Sequence, residues 1–143
     1  FAVWWNVPIY SFSLRNATLT KEGRTLDGKE VRYLSMRAKD QESFGAHSIS
    51  FTCEIPAAGT YKVSIDAVKG PQQGKVQLFV DEVPVGPEVD LYSAEAKPLQ
   101  DEFVGTMQME QGFNNLMFKI VGKNERSEMQ GFDLTNIICE RVE

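Results

Sequence analysis

The chain has 143 residues, 42% of them hydrophobic and 24% charged, the composition of a single globular domain. A chain of this size buries roughly 68% of its unfolded surface, so its core needs neither a disulfide framework nor a structural metal. The net charge of -5 without any basic run argues against a phosphate backbone or an anionic membrane surface as partner, and one His (His47) with two Cys (Cys53 and Cys139) is too few for a multi-His or four-thiolate metal centre.

Hydrophobicity alternates with a period of two almost throughout, which predicts an all-β protein. No apolar stretch is long enough for a membrane-spanning helix, and Phe1 to Asn6 lack the charged start and apolar run of a secretion signal. The chain does not begin with Met, so residues 1–143 are expected to be a single β-sandwich domain excised from a larger protein. Ile9 to Leu14 reads as a strand, Leu19 to Lys29 as a polar loop carrying Gly23 and Gly28, and Val31 to Met36 as the next strand. In Ser48 to Ile55 the apolar residues Ile49, Phe51, Cys53 and Ile55 alternate with polar ones. After Pro56-Ala57-Ala58-Gly59 the alternation resumes at Tyr61, Val63, Ile65 and Ala67, and the two runs suggest a hairpin.

A second turn, Lys69 to Gly74, leads to Val76, Leu78 and Val80, where Phe79 interrupts the polar side and predicts a strand covered on both faces. Asp81 to Pro87, with Pro84 and Pro87, reads as a turn with a short edge element, because proline lacks the N–H that a central strand needs. The last runs are Phe103 to Met109, Leu116 to Val121 and Leu134 to Val142, with the polar loop Gly122 to Gly131 before the final one. Eight or so short strands between Gly/Pro turns predict an antiparallel β-sandwich of jelly-roll type. An immunoglobulin-like sandwich is the competing topology, but no Trp lies between the two Cys.

Gly59-Thr60-Tyr61-Lys62-Val63-Ser64-Ile65, followed by Gly74-Lys75-Val76-Gln77-Leu78-Phe79-Val80-Asp81, resembles the core of galactose-binding-like, carbohydrate-binding-module-like jelly rolls, domains appended to secreted bacterial glycoside hydrolases. Val89 to Tyr92, Val104-Gly105, Gly112 to Leu116, Gly122 to Asn124 and Gly131 to Leu134 extend the resemblance over roughly Ser48 to Val142. Two departures fall in loops: Glu82 stands where the family turn has Gly, and Glu128-Met129-Gln130 replaces a Gly/aromatic stretch. The resemblance implies a secreted, periplasmic or cell-surface carbohydrate-binding accessory module that targets an attached enzyme to a polysaccharide. Its implied partners are a polysaccharide or oligosaccharide and the neighbouring domains of the parent protein, with no nucleic acid and no membrane insertion. It implies no cofactor beyond a structural calcium, for which Asp133 would be the ligand. It also implies that the strand before the Gly-x-Tyr turn lies beside the last strand, so that Cys53 and Cys139 are either a disulfide or two buried thiols.

Sugar recognition needs flat apolar faces and polar groups at fixed geometry. Trp4 and Trp5 are the only tryptophans, and as strand neighbours they point to opposite faces, one towards the core and one free to act as a platform. Tyr33, Tyr92 and Tyr10 are further aromatic candidates, Tyr92 beside Asp90 and Tyr33 near Arg32 and Arg37. Gly122 to Glu128 places Asn124 and Arg126 in one short polar loop, and Lys69 to Gln73 is a lesser candidate. The expected binding residues are therefore Trp4, Trp5, Tyr33, Asp90, Tyr92, Asn124 and Arg126, with Asn124, Arg126 and Asp90 hydrogen-bonding sugar hydroxyls.

Catalysis has less to draw on. His47-Ser48 is the one His dyad available, and neighbours on a strand face opposite ways. Glu88, Asp90, Asp101, Glu102 and Glu125 offer carboxylate pairs of the kind a glycosidase needs, but 20 acids in a chain of this length produce such pairs by chance. A structural or protein-interaction domain without a sugar site is the second reading, and a small glycoside hydrolase or lyase the third.

Overall fold

The computed structural model describes residues 4–5, 9–40 and 47–142, with side chains from Ser11 onward. Its strands are β1 (Trp4–Trp5), β2 (Ile9–Arg15), β3 (Ala17–Leu26), β4 (Lys29–Ala38), β5 (His47–Ile55), β6 (Gly59–Lys69), β7 (Lys75–Val80), β8 (Val83–Pro84), β9 (Val89–Asp90), β10 (Lys97–Met109), β11 (Gly112–Gly122) and β12 (Gly131–Arg141). One sheet runs β10-β6-β12-β4-β3 with β1 parallel to β12; the other runs β2-β5-β11-β7-β8 with β9 beside β7. This is an antiparallel β-sandwich of jelly-roll type, as the alternating pattern predicts.

The two inner faces meet in one apolar core. From the first sheet come Leu34, Met36, Val63, Ile65, Phe132, Leu134 and Ile137; from the second come Ile49, Phe51, Val76, Leu78, Leu116, Phe118 and Ile120, all buried. Phe118 joins the layers: its ring meets Phe51 edge-on at 6.3 Å and lies 5.5 Å from Phe132 on the opposite sheet. Tyr61 buries its ring while its hydroxyl donates to the Ala57 carbonyl at 2.6 Å, so the predicted turn residue ties down the connection between β5 and β6.

Three expectations need correction. The runs 48–55 and 61–67 are not a hairpin: β5 pairs with β2 and β11, whereas β6 pairs with β10 and β12, so the Pro56 to Ala58 turn carries the chain from one sheet to the other. Alternation shows that each strand has a buried face, but not which sheet supplies its partners. The stretch Leu19 to Lys29 is not a loop, because most of it forms β3, which pairs with β4 through the Asp27-Gly28 turn. β3 is an edge strand, exposed over most of its length, so its polar residues carry no apolar alternation to read.

The third correction concerns the cysteines. Cys53 on β5 and Cys139 on β12 belong to opposite sheets rather than neighbouring strands, and both are buried thiols of the same core, not joined in a disulfide. Burial pushes the Cys139 thiol up to about 12, with the neighbouring Cys53 adding to the shift.

Candidate functional site

Three connecting segments converge at one end of the sandwich. Gly70 N–H donates to Leu91 O at 3.1 Å, Leu91 N–H to Gly74 O at 3.1 Å, Gly74 N–H to Gly131 O at 2.8 Å and Glu128 N–H to Pro71 O at 2.7 Å. The segments 70–74, 90–93 and 124–131 are thus stitched through their backbones. Ordered loops on a rigid scaffold are where binding residues are commonly presented.

Four of the sequence-predicted residues meet there. Asn124 donates its side-chain amide to Asp90 Oδ2 at 2.9 Å, and its side-chain carbonyl accepts the Arg126 N–H at 3.0 Å. Asp90 Oδ1 accepts the Tyr92 N–H at 2.9 Å, and the Arg126 guanidinium lies 6.0 Å from the centre of the Tyr92 ring. Asp90, Tyr92, Asn124 and Arg126 therefore form a closed circuit from two segments more than 30 residues apart, with Asp90 and Arg126 exposed to solvent. Beneath them Ser127 is buried and its Oγ has no hydrogen-bond partner among the described residues. The arrangement offers a carboxylate, an amide, a guanidinium and an aromatic ring on one small surface, the groups that recognise a polyhydroxylated ligand.

Beside this circuit, the outer face of the first sheet carries a groove of about 570 Å³. Strand register builds it: Thr20 lies opposite Ser35 and Ser35 opposite Asp133, while Glu22 lies opposite Tyr33 and Arg37 opposite Gly131. Gly70 to Gln73 and Ala94 and Ala96 close one side, so the groove and the circuit share the same loops. Asp133 forms its floor. Its Oδ1 accepts from Arg37 Nη1 at 2.7 Å and from Ser35 Oγ at 2.8 Å, and its Oδ2 from Gln73 Nε2 at 2.9 Å. Gln73 Oε1 in turn accepts the Asp133 N–H at 3.2 Å.

Gly131 makes this geometry available. A Cβ there would come within 2.6 Å of Arg37 Nη1 and 2.5 Å of the Gln72 carbonyl oxygen, so only glycine lets the guanidinium pass to Asp133.

The carboxylate expected to ligate calcium is thus taken up by a guanidinium, a hydroxyl and an amide of the protein itself. Among the described residues no three His, Cys, Asp or Glu gather into a metal-binding group. Tyr33 lines the groove but is only 6% exposed, packed with Leu26 and Val68 in a satellite cluster, so its ring is not the stacking platform expected of it. Burial pushes its hydroxyl pKa up; the Asp133 charge adds to the shift and Arg24 opposes it. The backbones of Trp4 and Trp5 pair with Asn136 and Ile137, but their side chains, like that of Tyr10, lie outside the described residues. His47 is buried, and its Nδ1 lies 2.8 Å from the Asn16 carbonyl oxygen.

Sequence reasoning missed Thr20 and Ser35 as site residues, noted Arg37 only as a neighbour of Tyr33, and reached Gln73 only within the lesser candidate Lys69 to Gln73. A signal for the strand residues existed: Tyr33, Ser35 and Arg37 alternate with buried Leu34 and Met36, so they share the outer face of β4. Nothing local marks Gln73 as the partner of a residue 60 positions away.

No curated protein matches the sequence. Solved structures are similar in fold. A Paenibacillus xanthan lyase matches with a TM-score of 0.68 at 19% identity, covering 96% of this chain and 12% of that one. A family 35 carbohydrate-binding module from Clostridium thermocellum matches with a TM-score of 0.53 at 12% identity, covering 94% of this chain and 98% of the module. An exo-beta-1,3-galactanase from Phanerochaete chrysosporium matches with a TM-score of 0.50 at 15% identity, covering 89% of this chain and 26% of that one. The chain therefore has the fold of a carbohydrate-binding module and spans about an eighth of the lyase it matches, 12% of that chain. A family model, DUF8441, a domain of unknown function, matches residues 19–142.

Proposed function

The chain belongs to the DUF8441 family, whose description assigns no function, and from that premise we propose that it is a non-catalytic carbohydrate-binding module. In this reading the loop end built by Asp90, Tyr92, Asn124 and Arg126 holds a sugar, and the groove floored by Asp133 receives its continuation. The single observation that carries the reading is the hydrogen-bonded circuit joining Asp90 to Asn124 at 2.9 Å, which gathers a carboxylate, an amide, a guanidinium and an aromatic ring on one surface.

The side chains of the circuit hold one another through hydrogen bonds, so binding costs little side-chain entropy. Arg126 and Asp90 are exposed and keep donor and acceptor capacity for hydroxyls, while Tyr92 supplies an apolar surface for sugar C–H groups. The carboxylates near the site act as fixed acceptors: Asp133 holds Arg37, and Asp90 holds Asn124 and the Tyr92 N–H. That is a positioning role rather than the paired acid and base of glycoside hydrolysis.

The fold match to an isolated family 35 carbohydrate-binding module, covering 98% of that module, supports a self-contained binding domain. The match to a small part of a xanthan lyase supports a place beside an enzyme in a larger extracellular protein. A glycan array tests the reading. Retention on one class of polysaccharide, weakened by Asp90→Ala and by Arg126→Ala, is expected; a folded protein that binds nothing on the array overturns it.

A further inference from the structure

The register that fills the core from the sheet β2-β5-β11-β7-β8 also orders that sheet's outer face. Ser13 lies opposite Ser50, Ser50 opposite Met117 and Met117 opposite Phe79; in the adjacent row Ser11 lies opposite Thr52 and Thr52 opposite Asn115. Directly opposed residues share a face, so each row presents its side chains together across the strands. Short side chains at Ser11, Ser13, Ser50 and Thr52 against the larger Met117 and Phe79 leave a trough of about 410 Å³. Its size falls within the range typical of small-ligand sites.

The chemistry of the trough is specific. Its centre carries hydroxyls and an amide without formal charge; Thr52 Oγ1 donates to Asn115 Oδ1 at 2.9 Å, which leaves the Asn115 NH₂ for a ligand. Phe79 and Met117 supply the apolar surface. At the rim Lys119 lies 4.4 Å from the centre of the Phe79 ring and donates to Glu82 Oε2 at 2.9 Å, so this cation is neutralised from within the protein. Asp81 and Glu82 are the charged residues of the lining, both acidic, and Lys119 and the nearby Arg15 oppose them, so acids and cations balance at the rim. Asp81 and Glu82 both hold left-handed backbones, at φ 50° and 66°, a strain of about 1 kcal/mol each for residues other than glycine. Where the resembled family has Gly, this chain keeps a strained Glu that fixes the lysine above the ring.

We propose that this outer face is a second ligand site, distinct from the loop end, that takes a neutral glycan strand laid across β2, β5, β11 and β7. The proposal rests on the carbohydrate-binding reading above and adds to it a second location and a ligand class. Hydroxyls and an amide match a ligand that both donates and accepts, Phe79 and Met117 match the C–H faces of pyranose rings, and a rim whose two acids face two cations suits a ligand without net charge.

Amide chemical-shift mapping of ¹⁵N-labelled protein titrated with cellohexaose, xylohexaose and mannohexaose tests it. The expected result is saturable shifts at Ser50, Thr52, Asn115 and Met117 with at least one hexasaccharide. Those shifts weaken at least tenfold in Ser50→Arg, which fills the trough, and also in the milder Asn115→Ala. Shifts confined to residues 90–93 and 124–131 overturn the second site and leave the loop-end reading standing. Shifts confined to the outer face uphold the second site and overturn the loop end as the binding location. No shift anywhere with any of the three overturns both.

Discussion

Arg37 Nη1 lies 2.7 Å from Asp133 Oδ1 on the outer face of the first sheet, an ion pair whose carboxylate also accepts from Ser35 and Gln73. Asp133 is 2% exposed, so removing it takes the shared acceptor from Ser35, Arg37 and Gln73. Asp133→Ala is expected to cost about 3 kcal/mol in urea unfolding at neutral pH. Arg37→Met, which leaves Asp133 with Ser35 and Gln73, is expected to cost less. A loss below about 1 kcal/mol for Asp133→Ala contradicts this view of the groove floor.

Gly131 and Gly28 separate two reasons for glycine. At Gly131 a Cβ would lie 2.5 Å from the Gln72 carbonyl oxygen and 2.6 Å from Arg37 Nη1. At Gly28, with φ at 78°, nothing lies within 4 Å. Gly28→Ala therefore meets only backbone strain, about 1 kcal/mol. Gly131→Ala displaces the 70–73 segment or the guanidinium as well, and is expected to cost about 2 kcal/mol or more. Equal melting temperatures for the two variants contradict the steric argument.

The Asp81-Glu82 turn between β7 and β8 holds two left-handed residues where hairpins prefer Asn-Gly. Replacing the pair by Asn-Gly is expected to raise stability by about 1 kcal/mol despite the loss of the exposed Lys119 contact. The Lys119 hydrogen bond and charge hold the Glu82 carboxyl below its ordinary value. The contribution of that contact is therefore present above the unfolded carboxyl pKa and is lost as pH falls through the lower folded one. Because only wild type loses this contact, denaturant midpoints of the two proteins moving further apart as pH drops through this acidic window would check the sign.

Cys139 carries the opposite pH signature. Its thiol is pushed up to about 12 in the folded state from an ordinary 9.0, so its contribution is complete below the unfolded value and declines above it, where the unfolded chain ionises and the folded one does not. Between pH 9 and 11 stability should fall by about 1.4 kcal/mol per pH unit for each such group. Cys139→Ala should flatten the slope, with Tyr33, also raised, contributing at the alkaline end. A thiol reagent such as a maleimide should label Cys139 at pH 8 only in denaturant. Rapid labelling of the native protein contradicts its burial.

The sandwich was legible because its inner faces must be apolar: Ile49 to Ile55 and Tyr61 to Ala67 show their period directly. Pairing partners were not, since a strand's alternation is the same whichever sheet it joins, so β5 and β6 read as one hairpin although they lie in two sheets. β3 escaped notice for a related reason, as an exposed edge strand has no face to bury. At the site, Asp90, Tyr92, Asn124 and Arg126 were legible from residue chemistry in short loops. The pairing of Gln73 with Asp133 and the Arg37–Asp133 pair were not, because Asp133 lies 60 residues from Gln73 and 96 from Arg37, and only strand register and the space left at Gly131 bring them together.

Isothermal titration calorimetry of wild type and Asn124→Ala with the oligosaccharide class retained on the array tests the central claim most directly. Asn124 ties Asp90 to the backbone of Arg126, so its removal should weaken binding about tenfold or more while the unfolding midpoint moves little. Unchanged affinity in a folded Asn124→Ala protein would contradict a sugar site at the loop end.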